Sequence, residues 1–310
     1  MILVSGEALM DFLPARSDAG EPAYLPRPGG SPYNIAAALG RLGVPTGFAG
    51  WISIDFFGDM LIANLRASGV SLDYLERREQ PTTLAFASLD QAEPAYAFYG
   101  TEADDRHWDL LAALPTGAIR AVHVGSLALV REPAAAAYEG LLGRARAAGL
   151  AVSLDPNIRP EHITDADGHH ARLHRLAALA HVVKLSRADL GWIAPGAAEA
   201  EYAAGLLRAG ASLVAVTAGA DGATAYGRAA RAHCPAEPVR VVDTVGAGDA
   251  FMAGLLAGLW DTGRLAPAAL AELGEAELGR ALRLAARVAA LTCTRRGADP
   301  PWRREVIEPI

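Results

Sequence analysis

Short runs of apolar and β-branched residues alternate along this chain with longer stretches rich in Ala, Leu and Arg. Four such runs directly follow a helical stretch, at residues 122–124, 151–154, 181–184 and 213–216. This order is typical of a parallel sheet whose faces are covered by helices. The apolar run at residues 1–4 predicts a buried first strand. The pattern therefore predicts an α/β fold with a doubly wound, mostly parallel sheet flanked by helices.

Two regions depart from this alternation. Residues 11–28 are rich in proline and small polar residues, and residues 82–100 alternate apolar and polar positions around a turn near 90–94. We expect both to form a small antiparallel sheet outside the main one, where it would act as a lid. Two helical stretches follow, at 249–260 and about 266–293. A chain of 310 residues with this pattern predicts one domain, 1–310, that includes the lid strands.

Composition restricts the compartment and the partners. The formal net charge is −7, which argues against binding a nucleic-acid backbone, because phosphate neutralisation needs a basic face. The most apolar stretches are too short and too rich in glycine to cross a bilayer, and the first residues do not resemble a signal peptide. Two cysteines, Cys234 and Cys293, are too few for a disulfide framework. We therefore expect a cytoplasmic protein without membrane or nucleic-acid partners.

Residues 241–254 carry the strongest indication of chemistry. Their pattern predicts a strand that enters a turn at Gly246, Ala247 and Gly248 and then a helix. Backbone N–H groups at such a turn converge at the positive end of the helix dipole and form an anion hole. Asp249 follows at the rim, where a carboxylate beside an anion suits a base that accepts a proton. On this segment alone, the alternative that Asp249 is the N-cap of an ordinary helix stays open.

Two segments resemble one enzyme family. Residues 243–249, D-T-V-G-A-G-D, resemble the C-terminal signature of the ribokinase-like (pfkB) carbohydrate kinases, and residues 28–43 resemble the N-terminal signature of that family. The resemblance implies an ATP-dependent kinase that phosphorylates a sugar hydroxyl with Asp249 as the base. The sugar-binding residues that it implies in the first part of the chain are Asp11, Gly30 and Asn34. By position, Asp11 should end the first strand and Asn34 should begin the first helix, at the ligand edge of an open α/β sheet.

Further segments carry roles that the resemblance implies. Residues 155–159, D-P-N-I-R, resemble a segment of fructokinases and 2-keto-3-deoxygluconate kinases, in which Asp155 would organise Mg²⁺ waters, and Asn157 and Arg159 would bind substrate oxygens. Many relatives carry an N-x-x-E motif where this chain has Ser186 and Asp189. The implied nucleotide-binding residues are Lys184, Ser186, Asp189, Thr217, Gly219, Gly222 and Gly248. By itself, the segment from Thr217 to Gly222 is typical of a hairpin turn.

Lys184 is the only lysine in the chain. A Walker A loop requires a lysine after its glycines, and no segment has that pattern. This type of phosphate-binding loop is therefore excluded, and any nucleotide phosphates must be held in another way.

Residues 290–298 resemble the segment that encloses a monovalent cation in ribokinase-like enzymes. The implied ligands are the side chain of Asp243 and backbone carbonyls of Val245, Thr292, Arg295 and Gly297. Pro301 replaces a side-chain oxygen donor of ribokinase itself, so both alternatives, with and without the cation, stay open. The implied cofactors are ATP and Mg²⁺, with K⁺ as an additional ion.

The segments at 6–14, 155–159 and 291–298 are most similar to bacterial fructokinases, which implies D-fructose as the substrate. Gly100 follows the Phe-Tyr pair where 2-keto-3-deoxygluconate kinases often place an arginine, and this favours an uncharged sugar. Arg159 and Arg106 are the candidate cations for a charged substrate. 2-Keto-3-deoxygluconate kinase, ribokinase, nucleoside kinase and a sugar-binding regulator stay open as alternatives. The expected partners are the sugar, ATP and a second copy of the chain bound through the lid.

Overall fold

The structure is a computed structural model that describes residues 1–87, 96–100 and 117–307. The predicted turn at 90–94 and Arg106 lie outside the described residues. The strands are β1 Ile2–Ser5, β2 Leu9–Arg16, β3 Pro22–Gly29, β4 Thr46–Ser53, β5 Leu75–Arg78, β6 Thr83–Ala87, β7 Tyr96–Tyr99, β8 Ala121–Gly125, β9 Ala151–Asp155, β10 Val182–Ser186, β11 Leu213–Thr217, β12 Ala223–Gly227 and β13 Arg231–Cys234. The helices are α1 Ser31–Arg41, α2 Phe56–Ala67, α3 Ala134–Ala147, α4 Ala166–Leu179, α5 Arg187–Ile193, α6 Glu199–Ala209, α7 Ala247–Asp261, α8 Pro267–Ala271, α9 Glu275–Cys293 and α10 Arg303–Ile307.

The main sheet has nine strands among the described residues, in the order β13-β12-β11-β10-β9-β8-β1-β4-β5. The strands from β11 to β5 in this order pair in parallel, while β12 and β13 pair antiparallel. The order reverses at β1, because β4 lies on one side of it and β8 on the other. Open α/β sheets bind ligands at the carboxyl ends of the strands beside such a reversal. The predicted doubly wound α/β fold is confirmed.

Alternate residues of the strands fill two separate cores. Ile2 and Val4 of β1 pack on the face covered by α1, α2, α7 and α9, and Leu3 packs on the face covered by α3, α4 and α6. Side chains of a strand point alternately to opposite faces, so a strand buried on both sides is apolar throughout. This is why the short apolar runs could be recognised as strands. Gly254 of α7 lies where a Cβ would come within 2.7 Å of the Ala285 Cα atom, so α7 approaches α9 closely.

A second sheet contains the two regions that departed from the alternation. Its order is β3-β2-β6-β7. The prediction of a purely antiparallel arrangement is wrong, because β2 and β6 pair in parallel, with Asp11 opposite Ala85. Asp11 also does not end the first strand; it lies within β2. Pairing between β2 and β6 joins segments far apart in sequence, which local alternation does not encode.

Two predicted elements before and after α7 differ from the structure. The strand predicted at the start of 241–254 is wrong, since Val241 and Val242 lie outside any strand and are 59% and 58% exposed. The helix expected over about 266–293 is divided into α8 and α9, with Gly274 as the N-cap of α9. No helix of the described residues is both long and apolar enough to cross a membrane.

Candidate active site

The carboxyl ends of β1, β8, β9 and β10 lie side by side in the main sheet, and the N-termini of α1 and α7 pack together beside them. A cavity lies between this edge and the second sheet, and Glu7, Thr83, Phe98 and Arg131 are among its lining residues. Thr83 and Phe98 belong to β6 and β7 of the second sheet. The second sheet therefore forms one wall of the candidate site.

The turn before α7 has the geometry that the sequence predicted. Gly246 is the N-cap of α7 and has a left-handed backbone with φ of 76°. A Cβ atom there would lie 2.5 Å from the Ala298 Cβ atom, so glycine is required on both conformational and steric grounds. The first N–H groups of a helix lack partners within it and can bind an anion. The N–H of Ala247 donates to the Thr244 carbonyl at 3.2 Å, so one of the three predicted N–H donors is already engaged.

Asp249 is buried and held by α1. Its Oδ1 atom accepts a hydrogen bond from Ser31 Oγ at 2.6 Å, and its Oδ2 atom accepts one from Asn34 Nδ2 at 2.9 Å. The alternative that Asp249 is the N-cap of α7 is wrong, because Gly246 occupies that position. The structure places Asn34 on the carboxylate of Asp249; sugar binding by Asn34 stays a prediction. Sequence reasoning missed Ser31, and the signal available was its position at the start of the helix that carries Asn34.

Further carboxyl groups lie near Asp249. Burial raises the pKa of Asp11 to about 7, with the nearby Asp249 raising it further and Arg159 opposing the shift. Burial also raises the pKa of Glu7 to about 7, although hydrogen bonds from its own backbone, Ser126 and Ala128 oppose the shift. Glu7 Oε2 accepts the Ala128 N–H at 3.2 Å. Sequence reasoning missed Glu7, and its place directly after β1 was the signal that could have identified it.

Gly30 shapes the junction between this acidic group and α1. Its φ of 101° is in the region that favours glycine. A Cβ atom at Gly30 would lie 2.6 Å from the Glu7 carbonyl oxygen. Only glycine therefore allows α1 to begin this close to the segment after β1. Direct sugar binding by Gly30 stays a prediction.

Lys184 lies beside the turn at the start of α7. It is only 3% exposed, and its Nζ atom forms an ion pair with Asp155 Oδ2 at 2.9 Å. A Cβ atom on Gly248 would lie 3.2 Å from the same Nζ atom. The structure therefore brings the single lysine of the chain to the predicted anion hole.

The segment from Asp155 to Arg159 is fixed by hydrogen bonds to neighbouring elements. Asp155 Oδ1 accepts the Asn157 N–H at 3.2 Å, and Asn157 has a positive φ of 41°. Asp189 Oδ1 accepts the Ile158 N–H at 2.8 Å. Arg159 donates from Nη1 to the Ile158 carbonyl at 3.0 Å. These contacts place Asn157 and Arg159 at the carboxyl end of β9, where their substrate contacts stay a prediction.

Ser186 and Asp189 cap α5 reciprocally. Ser186 Oγ accepts the Asp189 N–H at 3.0 Å, and Asp189 Oδ2 accepts the Ser186 N–H at 2.7 Å. Such a capping box satisfies N–H groups that the first turn of a helix leaves without partners. Both side chains therefore have a structural role, and their predicted contacts with a nucleotide remain untested predictions.

The segment from Thr217 to Gly222 is a turn between antiparallel strands. It follows β11, contains a short 3₁₀ turn, and leads into β12. Gly219 and Gly222 have φ values of 56° and 88°, in the region that glycine adopts without strain. The hairpin interpretation is thus confirmed, and the turn lies at the carboxyl end of β11, where a nucleotide role stays a prediction.

Asp243 forms hydrogen bonds with both loops of the predicted cation site. Its Oδ1 atom accepts the Val245 N–H at 3.1 Å, and its Oδ2 atom accepts the Gly297 N–H at 2.8 Å. The carbonyl of Thr292 accepts the Arg295 N–H at 3.1 Å. Within the described part of the chain, no group of three or more His, Cys, Asp and Glu side chains is placed to hold a metal ion. A cation here would therefore depend on backbone carbonyls.

Comparisons with known proteins show which family and fold the chain shares. Residues 1–304 match the pfkB family carbohydrate kinases. The chain is 42% identical over 280 residues to a fructokinase of Rhizobium leguminosarum bv. trifolii, which covers 90% of this chain and 85% of that protein. A crystal structure of fructokinase with bound ATP from Xylella fastidiosa superposes with a TM-score of 0.86 at 33% identity, covering 99% of this chain and 96% of that one.

A fructokinase from Vibrio cholerae O395, crystallised in its fructose-, ADP- and calcium-bound form, has a TM-score of 0.81 at 27% identity. It covers 96% of this chain and 94% of its own. The family resemblance carried by residues 243–249 and 28–43 is confirmed, and so is the predicted fold.

Proposed function

We propose that this chain, which belongs to the pfkB family of carbohydrate kinases, transfers the γ-phosphoryl group of MgATP to D-fructose. The family defines an ATP-dependent phosphotransferase that acts on a sugar hydroxyl. The fructokinases that the chain resembles over most of its length favour fructose among the sugars. The observation that carries the choice is the group of carboxyl side chains formed by Glu7, Asp11 and Asp249.

Acidic groups dominate the sugar end of the site. Glu7 and Asp11 both lie within electrostatic range of Asp249, which raises the pKa of each beyond the effect of burial. A substrate carboxylate would add a further negative charge to this group, whereas the hydroxyls of a neutral sugar can donate to carboxylates. Arg159 opposes the shift of Asp11, and Arg131 lines the adjoining cavity, so two cations lie near three carboxyl groups. The arrangement therefore favours fructose over 2-keto-3-deoxygluconate.

Asp249 is the proposed base. Ser31 and Asn34 each donate a hydrogen bond to one of its oxygens, which fixes the plane of the carboxylate. As the sugar oxygen attacks phosphorus, Asp249 accepts its proton and the bond from phosphorus to the ADP oxygen breaks. A Mg²⁺ ion bound with ATP would neutralise part of the phosphate charge, and Asp155 would orient its water ligands. Backbone N–H groups at the start of α7 bind the phosphoryl oxygens.

The nucleotide is proposed to lie along the carboxyl ends of β10 and β11. Two glycines with positive φ form the turn after β11, and a backbone without side chains can approach a ribose or a phosphate closely. The residues assigned to this role are Lys184, Ser186, Asp189, Thr217, Gly219, Gly222 and Gly248. Ser186 and Asp189 would contribute from their capping positions, through the lone pairs that the capping box leaves open.

The cation loops fit a K⁺ ion. Each carboxylate oxygen of Asp243 accepts one N–H and retains acceptor capacity for an ion. Backbone carbonyls of Val245, Thr292, Arg295 and Gly297 would complete the set of oxygen ligands, which is the type that hard cations prefer. Because Gly246 packs against Ala298 in the same region, an ion here would stabilise the turn that forms the anion hole.

The second sheet is proposed as the lid and as a dimer contact. Phe12 stacks on Phe86 with ring centroids 4.4 Å apart, and Tyr24 and Tyr99 pack edge-on against Phe86. Tyr24 is 38% exposed and Tyr99 is 60% exposed. Exposed aromatic groups of this kind are typical of interaction surfaces, and sedimentation velocity would detect a dimer. The proposed compartment is the cytoplasm, which is consistent with two free thiols.

A panel of substrates tests the proposal. We expect kcat/KM for ATP-dependent phosphorylation to be highest with fructose, compared with ribose, adenosine and 2-keto-3-deoxygluconate. A value for 2-keto-3-deoxygluconate ten-fold above that for fructose would contradict the argument from charge. If a sugar binds but no member of the panel causes ATP consumption, a sugar-binding regulator would instead be favoured.

A further inference from the structure

Lys184 is buried beside the turn that begins α7, with its ammonium group paired to Asp155. Lys184 is the third residue of β10 and is almost fully buried, at 3% exposure. Its Nζ atom lies 2.9 Å from Asp155 Oδ2 and 3.2 Å from the place that a Cβ atom on Gly248 would occupy. The ammonium group therefore lies directly against the turn whose N–H groups form the anion hole.

Lys184 keeps its charge in spite of burial. Burial by itself lowers the pKa of a lysine, but Asp155, Asp189 and Asp249 together raise the pKa of Lys184 above its usual value. Burial raises the pKa of its partner Asp155 to about 6, with Lys184 opposing the shift. Because its pKa is raised, Lys184 keeps its proton at neutral pH, and an ammonium group lies beside the anion hole.

The ammonium group also has donors to spare. It carries three N–H donors, and within the described residues Asp155 is the acceptor that it bonds. A buried ion pair that served stability alone would gain little over apolar side chains of the same size. Donors that are charged, buried and aligned beside an anion hole are instead suited to the oxygens of a phosphoryl group.

We infer that Lys184 is a catalytic residue, whose ammonium group donates hydrogen bonds to the γ-phosphoryl oxygens as the group passes from ATP to the sugar. Asp155 is a positioning residue that orients the ammonium. Lys184 keeps its proton throughout: the sugar proton goes to Asp249, the new bond joins the sugar oxygen to phosphorus, and the bond from phosphorus to ADP breaks. The inference rests on the proposed kinase reaction but not on the identity of the sugar.

Three variants test this role in the full chain. We expect Lys184→Met, which keeps the unbranched apolar part of the side chain without its charge, to lower kcat by about 10²-fold or more, if oxyanion-hole donors are a guide. Lys184→Met alone leaves Asp155 buried without its partner, so the double variant Lys184→Met/Asp155→Asn removes both charges together. The matched control is Arg208→Gln, which removes an exposed cation of α6 and should leave kcat unchanged.

The readouts separate catalysis from stability. If the double variant recovers the wild-type melting temperature and binds a non-hydrolysable ATP analogue within about three-fold of wild type, but its kcat stays about 10²-fold low, the inference is supported. Recovery of kcat to near the wild-type value in the double variant would overturn it, because the pair would then be structural. An unchanged kcat with a large loss of analogue affinity would also overturn it. Rates are measured with whichever sugar gives the highest ATP turnover, so that a wrong choice of sugar leaves this test intact.

Discussion

The two ends of the proposed site present different groups to the ligands. At the phosphoryl end, the Lys184 ammonium and the N-terminus of α7 present positive charge, and both belong to the main sheet and its helices. At the sugar end, Glu7 and Asp11 present acidic groups, and Asp11 belongs to the second sheet. In the proposed arrangement, the first end suits an anionic phosphoryl donor and the second suits the hydroxyls of a neutral sugar.

The same two ends differ in how they are built. The phosphoryl end is formed by buried strand ends and by glycines that fit against neighbouring atoms, so it is preorganised before any ligand binds. The sugar end is closed by a sheet with exposed aromatic side chains, which can close over a substrate. Changes at the phosphoryl end should therefore lower kcat, and changes at the sugar end should raise KM or alter the preference among sugars.

The largest effect is expected at the junction of the two ends. Asp249→Asn removes the proton acceptor while keeping the shape of the side chain, so kcat should fall by at least about 10²-fold with fold and sugar binding retained. Steady-state rates and calorimetric titration with fructose measure the two quantities. Asp73→Asn, at an exposed surface aspartate, is the control. Near wild-type turnover would remove Asp249 from the role of base.

The next effect is expected at the turn of α7. Gly248→Ala would place a methyl group 3.2 Å from Lys184 Nζ, in the space needed by a phosphoryl oxygen, and kcat should fall by about 10²-fold. Gly143→Ala is the matched control, since a Cβ atom there meets nothing within 4 Å. Equal kcat values for the two variants would show that no phosphoryl group occupies this space.

A smaller effect is expected at the sugar end. Asp11→Asn replaces a charged acceptor by a neutral one, so KM for the sugar should rise by about ten-fold while kcat changes less. Because the pKa of Asp11 is raised to about 7, its carboxylate gains a proton as the pH falls through 7. For the wild type, kcat/KM should therefore decrease as the pH is lowered from 8 to 6. If Asp11→Asn left that pH profile and KM unchanged, Asp11 would not bind the sugar.

The smallest effect concerns the cation loops. The proposed K⁺ site would stabilise the turn at Gly246 without contacting substrate, so K⁺ should raise kcat only a few-fold over Na⁺, roughly 1 kcal/mol or less of the barrier. Rates are compared in chlorides of both ions and in an organic buffer free of alkali metal. Equal rates in all three would exclude a functional cation site.

The sequence predicted what depends on neighbouring residues and missed what depends on distant ones. The apolar runs at β8, β9, β10 and β11 were recognised because each is buried on both faces. The parallel pairing of β2 with β6 and the exposed segment at Val241 were not, because strand pairing is decided by segments far apart in the chain. Local pattern thus predicts the main sheet and the existence of the second sheet, but not the parallel pairing of β2 with β6.

The site divides in the same way. Asp249, Gly246 and Gly248 were found because they form one continuous motif. Ser31 and Asn34 lie more than two hundred positions away, and their hydrogen bonds to Asp249 appear only when α1 packs on α7. Glu7 was missed for a similar reason, since its raised pKa comes from burial and from groups that the fold brings around it.

Because the chain has a single lysine, chemical labelling of amines can probe the site directly. A reagent that acylates amines has one lysine side chain to modify among the 310 residues, and that side chain is 3% exposed. Its labelling rate, followed by mass spectrometry of the peptide that contains Lys184, would report how often the phosphoryl end becomes accessible. Protection of that one peptide by nucleotide would then give a binding curve that requires no turnover and no engineered probe.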